Sequence, residues 1–258
     1  MSSIKLGLLL AASLLINLLS ANTYAAGLNF MDASPVGSWQ LREDTNINHK
    51  GKQTITRLRT SMVGEEKRNN KQYYWVETEI ETFKVSKKGK RKQKGNVVIV
   101  KSLLASDLFN RDPANIINNL RGSGIELIVQ SGNSNPTIIR ESGGFLGGLM
   151  KNLGVEIEYA FEQLGSESVS VAAGEFSTQR LQGSGSTEVK SIISKISVQS
   201  DMNSWISNKV PFGVVKLEGS SSMNGKPNTF SGELIDYGMS GAVSKITKTP
   251  TELPSFKF

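Results

Sequence analysis

Glu77, Glu79 and Glu81 stand two residues apart, as do Glu156 and Glu158. On an extended strand that spacing sets each group on one face, and two carboxylates about 5 to 9.5 Å apart are what glycoside hydrolysis uses. Strand-borne acids meet that distance trivially, and these alternate with apolar residues, as on a sheet with one wet and one buried face. Both sets are therefore expected to be solvated, and hydrolysis requires Glu156 or Glu158 to lie in a cleft. Asp201, Asn203 and Ser204 lack the spacing of a calcium loop and read as a turn. His49 is the only histidine and cysteine is absent, which excludes a thiol nucleophile, disulfides, cysteine-bound zinc or iron-sulfur, and any metal held by two histidines. A lone histidine in the turn-like stretch Asn46-Ile47-Asn48-His49-Lys50-Gly51 has no carboxylate partner that the sequence identifies. The stretches Ser142-Gly143-Gly144 and Gly183-Ser184-Gly185 lack the flanks of a nucleophile elbow or a phosphate loop. No catalytic residue, cofactor or metal is expected.

The most concentrated chemistry is cationic. Seven basic residues lie between Lys84 and Lys94, with no acidic residue among them. Lys87, Lys88, Lys90, Arg91, Lys92 and Lys94, punctuated by Gly89 and Gly95, read as the tip of a hairpin. Such a tip is either a solvated, solubilising loop or a contact for an anionic membrane surface, where each basic residue adds about 1 kcal/mol of attraction. No aromatic residue is interleaved for base stacking, and nucleic acid is not an expected partner. The whole chain of 258 residues carries 30 Lys+Arg against 23 Asp+Glu, a formal charge of +7.

The first residues suggest where this charge acts. An apolar run from Leu6 to Leu19, broken only by Gly7, Ser13 and Asn17, follows Lys5 and leads to Thr23, Tyr24 and Ala25, the layout of a secretory signal peptide. Cleavage is expected after Ala25, and residues 26–258 are expected to form a single β-rich domain in the periplasm or outside the cell. No later run is long and apolar enough for a membrane helix. Without cysteine, the exported domain must be stabilised by core packing alone.

The elements that must position these residues follow a period of two. Val155, Ile157, Tyr159 and Phe161 alternate with Glu156, Glu158, Ala160 and Glu162. From Gln72 to Val85, residues Tyr74, Val76, Thr78, Ile80 and Thr82 oppose Tyr73, Trp75, Glu77, Glu79, Glu81 and Phe83. Further strands are expected over 39–42, 53–63, 97–103, 125–130, 137–141, 176–182, 189–199, 213–218 and 229–236. Asp112-Pro113 followed by Ile116, Ile117 and Leu120 predicts a short helix, and the glycine-interrupted apolar segment Phe145 to Leu153 is a second candidate, as a lid or as a buried loop. The tail from Thr249 to Phe258, with Pro250 and Pro254, reads as an extended strap. The fold class predicted is mainly β: a curved antiparallel sheet or incomplete β-barrel with one or two short helices as lid.

Val171-Ala172-Ala173-Gly174-Glu175-Phe176, and then Asn203 to Glu218 with Trp205, Pro211, Phe212 and Gly213, resemble the lipoprotein-carrier (LolA-like) half-barrel class of periplasmic proteins and its uncharacterised relatives. The resemblance covers residues 155 to 236. It implies a curved sheet around an apolar groove that in the carriers holds acyl chains. The groove is then expected from Leu58, Tyr74, Ile80, Ile157, Tyr159, Phe161 and Phe212, with Phe145, Leu146 and Leu149 as lid and Trp205 as a core pillar. A lipid or a lipidated protein is the partner so implied, with no enzymatic activity; the alternative is an envelope assembly module with a filled interior and no ligand.

Overall fold

A computed structural model describes residues 34–106, 126–140, 155–190 and 195–252. The strands are β1 (Trp39–Ile47), β2 (Gln53–Arg68), β3 (Lys71–Val85), β4 (Arg91–Gln93), β5 (Val98–Ala105), β6 (Glu126–Ser131), β7 (Thr137–Arg140), β8 (Val155–Val171), β9 (Gly174–Lys190), β10 (Lys195–Ile206), β11 (Val214–Met223), β12 (Lys226–Gly238) and β13 (Thr251–Glu252). They form one sheet in the order β13-β7-β6-β5-β3-β2-β1-β12-β11-β10-β9-β8, with β4 paired to β3. Only the β13–β7 pair is parallel. The predicted mainly-β, curved and open sheet is therefore the fold. Both predicted helices lie outside the described residues, as do the lid residues Phe145, Leu146 and Leu149.

Thirteen strands exceed the roughly ten that a twisted open sheet carries without curling, and the direction of curl is readable. The β8–β9 hairpin stands at one sheet edge, three strands from β12, yet its turn reaches back: Ala173 N donates to Leu234 O at 3.3 Å. The Phe176 and Tyr237 rings meet edge to face at 5.8 Å. Phe176, Val210, Val215 and Leu234 form a buried cluster beneath this arch, each contributing about 1.5–3 kcal/mol of apolar burial. Register carries that face across the sheet, because Leu234 opposes Arg42, Arg42 opposes Leu58 and Leu58 opposes Ile80. The sheet thus curls toward the face of Leu58, and the alternation predicted for β3 is correct.

The outer face carries Glu77, which corrects the expectation of a wet acidic ladder: Glu77 is only 4% exposed. The chain after β12 crosses above it. Ser244 Oγ donates to Glu77 Oε2 at 2.6 Å, Lys245 N donates to Oε1 at 2.8 Å, and Lys245 Nζ pairs with Glu79. Lys248 Nζ reaches Asn133 O, and β13 then joins β7. The strap therefore begins some ten residues before the predicted Thr249. A carboxylate satisfies two donors at once and so fastens an irregular segment that has no ladder of its own. Glu77→Ala is expected to cost about 1–3 kcal/mol, because two hydrogen bonds from the strap to a buried carboxylate are lost, and to speed amide exchange in residues 242–248. Unchanged exchange there would remove Glu77 from this role.

Other boundaries also differ. Residues 189–199 are not one strand but the end of β9 and the start of β10. Asp201, Asn203 and Ser204 lie within β10 rather than in a turn, since a strand paired on both sides tolerates Asp201 and Asn203 on its outer face, while Ser204 is buried on the inner face opposite Leu181 and Leu217. The β8–β9 hairpin is much longer than its apolar alternation, because Ser166, Ser168, Ser177 and Ser184 extend it through backbone pairing.

Candidate functional site

Register brings one row of side chains together on the inner face. Phe161 on β8 opposes Gly183 on β9, Gly183 opposes Met202 on β10, Met202 opposes Gly219 on β11, and Gly219 opposes Phe230 on β12. The next row toward the strand ends runs Tyr159, Gly185, Ser200 and Ser221. A residue with a Cβ cannot replace these glycines without movement: at Gly183 it would lie 2.8 Å from Phe161 Cε1, at Gly219 it would lie 2.7 Å from Phe230 Cζ, and at Gly185 it would overlap the Tyr159 ring and the Glu158 carbonyl. The rings therefore lie down across their neighbours' backbone instead of standing up. Tyr159 spans β9 to share a hydrogen bond with Ser200 Oγ at 2.6 Å, and it stacks with Phe161 at 6.2 Å between centroids.

The result is a shallow trough with an apolar floor. Tyr159, Phe161, Met202 and Phe230 are all half-buried, neither sealed in the core nor fully wet. One row deeper, Leu181 and Leu217 are buried, so the floor rests on packed core. One row shallower, Ser200 and Ser221 form a hydroxyl rim. Such a surface has the shape and polarity for an extended apolar chain with a polar end.

Of the residues expected in a groove, Tyr159 and Phe161 belong to this trough. Ile157 is placed by register opposite Thr187 at its edge, and its side chain lies outside the described residues. Leu58 and Ile80 are cross-strand partners on the same inner face, but far along the sheet, and Leu58 is buried at 5% exposure. Tyr74 is half-buried on β3. Phe212 is buried in the β10–β11 turn with φ of 60°, its N–H donating to Ser34 Oγ at 2.9 Å, and belongs to no shared site. Met202 and Phe230 were missed; the available signal was Gly183, Gly185 and Gly219 inside strands, which marks close approach of another group. Trp205 is buried as expected, but on the outer face, between Arg180 and Lys216 and with Nε1 donating to Glu167 at 2.6 Å.

Among the described residues the acids form no comparable site. Glu158 is exposed, and the side chain of Glu156 is outside the described residues. Under the strap a space of about 280 Å³ is lined by Arg59, Ser61, Glu77, Glu79, Gly241, Ala242, Val243 and Lys245. Its two carboxylates are already engaged by the strap. Among the described residues no three acidic or histidine side chains are grouped to hold a metal, and no helix is long and apolar enough to cross a membrane. Near the other end of the sheet, a hydrogen bond from Arg68 to Glu126 at 2.7 Å raises the guanidinium pKa and ties β2 to β6.

The basic segment is more structured than a simple tip. β4 folds back onto the end of β3, Arg91 opposing Val85, and Ser86 N donates to Lys90 O to close the turn. The expectation of an unneutralised cluster is corrected at one residue, since Arg91 Nη1 pairs with Glu43 at 2.8 Å. Sequence proximity could not reveal that partner, which comes from β1. Lys87, Lys88, Lys90, Lys92 and Lys94 are exposed.

No family model and no curated protein matches the chain. Two solved structures are similar in outline. A Bacteroides fragilis protein described as exported and of YMCC-like fold is 13% identical with a TM-score of 0.37, the match covering 80% of this chain and 97% of the other. A Parabacteroides distasonis protein described as a lipoprotein is 12% identical with a TM-score of 0.40, covering 83% and 100%. These likenesses are too distant to carry function across.

Proposed function

We propose that this is an exported, non-enzymatic envelope protein that binds an extended apolar ligand, a lipid or a lipoprotein acyl chain, in the inner trough of its curved sheet. The observation that carries the reading is the row Phe161, Met202 and Phe230, in which the Phe161 and Phe230 rings lie over Gly183 and Gly219. A sheet that served only as packing would fill the concave side with branched side chains, whereas strand glycines sacrifice stability and leave a low floor. Burial of alkyl surface there contributes about 0.8 kcal/mol per CH₂, and the Ser200 and Ser221 hydroxyls suit a polar end. Export rests on the signal-peptide layout of residues 1–25, and the acyl preference is supported by the carrier resemblance.

Native mass spectrometry of protein purified from the envelope, together with titration of a fluorescent fatty acid, tests this. Co-purified acyl species and saturable binding are expected, with Phe161→Ala plus Met202→Ala weakening the probe about tenfold, equivalent to about 1.4 kcal/mol of lost contact. A protein that arrives empty and binds no probe is instead an assembly module with a filled interior.

A further inference from the structure

We infer that the basic hairpin is one part of a larger surface, a whole end of the sheet, that docks on an anionic lipid bilayer and presents the mouth of the trough to it. Register places the turns after β1, β3, β6 and β11 at the same end: Ile47 opposes both Gln53 and Thr229, Thr54 opposes Lys84, and Val98 opposes Ser131. The end of β9 and the start of β10 lie there too, since Lys190 opposes Lys195 and Asn224 N donates to Ser197 O. The segments 48–52, 86–97 and 224–226 contain no acidic residue and carry Lys50, Lys52, Lys87, Lys88, Lys90, Arg91, Lys92, Lys94 and Lys226. All of these are exposed, and apart from Arg91 none pairs with an acid among the described residues.

Two apolar side chains stand within this cationic end, Ile47 at 42% and Met223 at 48% exposure. Exposed apolar residues beside lysine-bearing turns suit the boundary between headgroups and acyl chains, whereas a soluble polyanion offers them nothing. The opposite end is more evenly mixed, its β2–β3 turn setting Glu65 and Glu66 among Lys67, Arg68 and Lys71, whereas the acids near the basic end, Glu156, Glu158 and Glu188, stand on β8 and β9 and not in the lysine-bearing turns. The trough lies toward the basic end: Tyr159 is four residues from the start of β8, and Ser221 two before the end of β11. Only the orientation of the mouth rests on the trough reading; the charge surface stands without it.

The test is co-sedimentation of the full-length mature protein with phosphatidylcholine vesicles, with and without phosphatidylglycerol. Binding only to the anionic vesicles is expected, and it should vanish as salt approaches about 1 M. The deciding variant leaves the hairpin intact: K50Q/K52Q/K226Q should lower partitioning about a hundredfold, at about fivefold per charge, and K87Q/K88Q/K90Q/K92Q/K94Q should lower it to the level of neutral vesicles. Both should keep the circular dichroism spectrum and melting temperature of the natural protein, which shows that they are folded. Equal binding to both vesicle types, an unaffected triple variant, or retention by a sulfated glycan column without vesicle binding would each overturn the inference. Vesicle binding without probe binding in the natural protein would overturn the trough and leave this surface standing.

Discussion

Asp44→Ala is expected to destabilise the protein by about 3–5 kcal/mol, among the largest effects of any single substitution. Arg42 and Asp44 lie on the inner face of β1, where Nε and Nη2 of Arg42 donate to the two Asp44 oxygens at 2.7 and 2.9 Å. Arg42 is only 3% exposed and opposes Leu58 and Leu234 in register. Losing its partner leaves a guanidinium charged in an apolar interior, a penalty far above the net worth of the pair. An apolar double replacement, Arg42→Met with Asp44→Val, should recover much of the loss because neither charge then needs solvating. Denaturant melts at constant slope measure both; an Asp44→Ala midpoint within a few tenths of a kcal/mol of the natural protein's would show that Arg42 finds water instead.

Gly219→Ala should be the other severe change, costing about 1–3 kcal/mol by overpacking. The new methyl would overlap the Asp201 carbonyl on β10 and meet Phe230 Cζ at 2.7 Å, so the ring or the strand must move. Lifting the Phe230 ring fills the trough, and fatty-acid probe binding should fall about tenfold or more. Gly225→Ala serves as the control: it lies in the β11–β12 turn with nothing within 4 Å, and its cost comes only from its φ of 76°. It should leave probe affinity unchanged. If Gly219→Ala keeps both stability and affinity, the glycine floor is not what shapes the site.

Much of the sheet was legible because burial on one face imposes a period of two, and β3 and the start of β8 follow it plainly. The signal weakened where both faces are polar. The serine-rich second half of β8 and the middle of β9 carry little alternation, yet the two strands, seventeen residues each, stay paired to their ends, because backbone hydrogen bonds are indifferent to side chains. Asp201 and Asn203 looked like a turn for the same reason. Tyr159 and Phe161 were identifiable as inward-facing aromatics, but Met202 and Phe230 come from strands too far away in sequence to be joined to them by pattern.

Composition and spacing by themselves determined the chemistry that is missing, the alternating β character and the location of the densest charge, since these depend on residue type and short-range periodicity. Tertiary structure decided what those residues do. Glu77 became the anchor of a strap because residues 244 and 245 cross above it, Arg91 gained Glu43 from another strand, and three strand glycines became the floor beneath aromatic rings. Each outcome depends on register between segments distant in the chain, and on the curl that decides which face is inside.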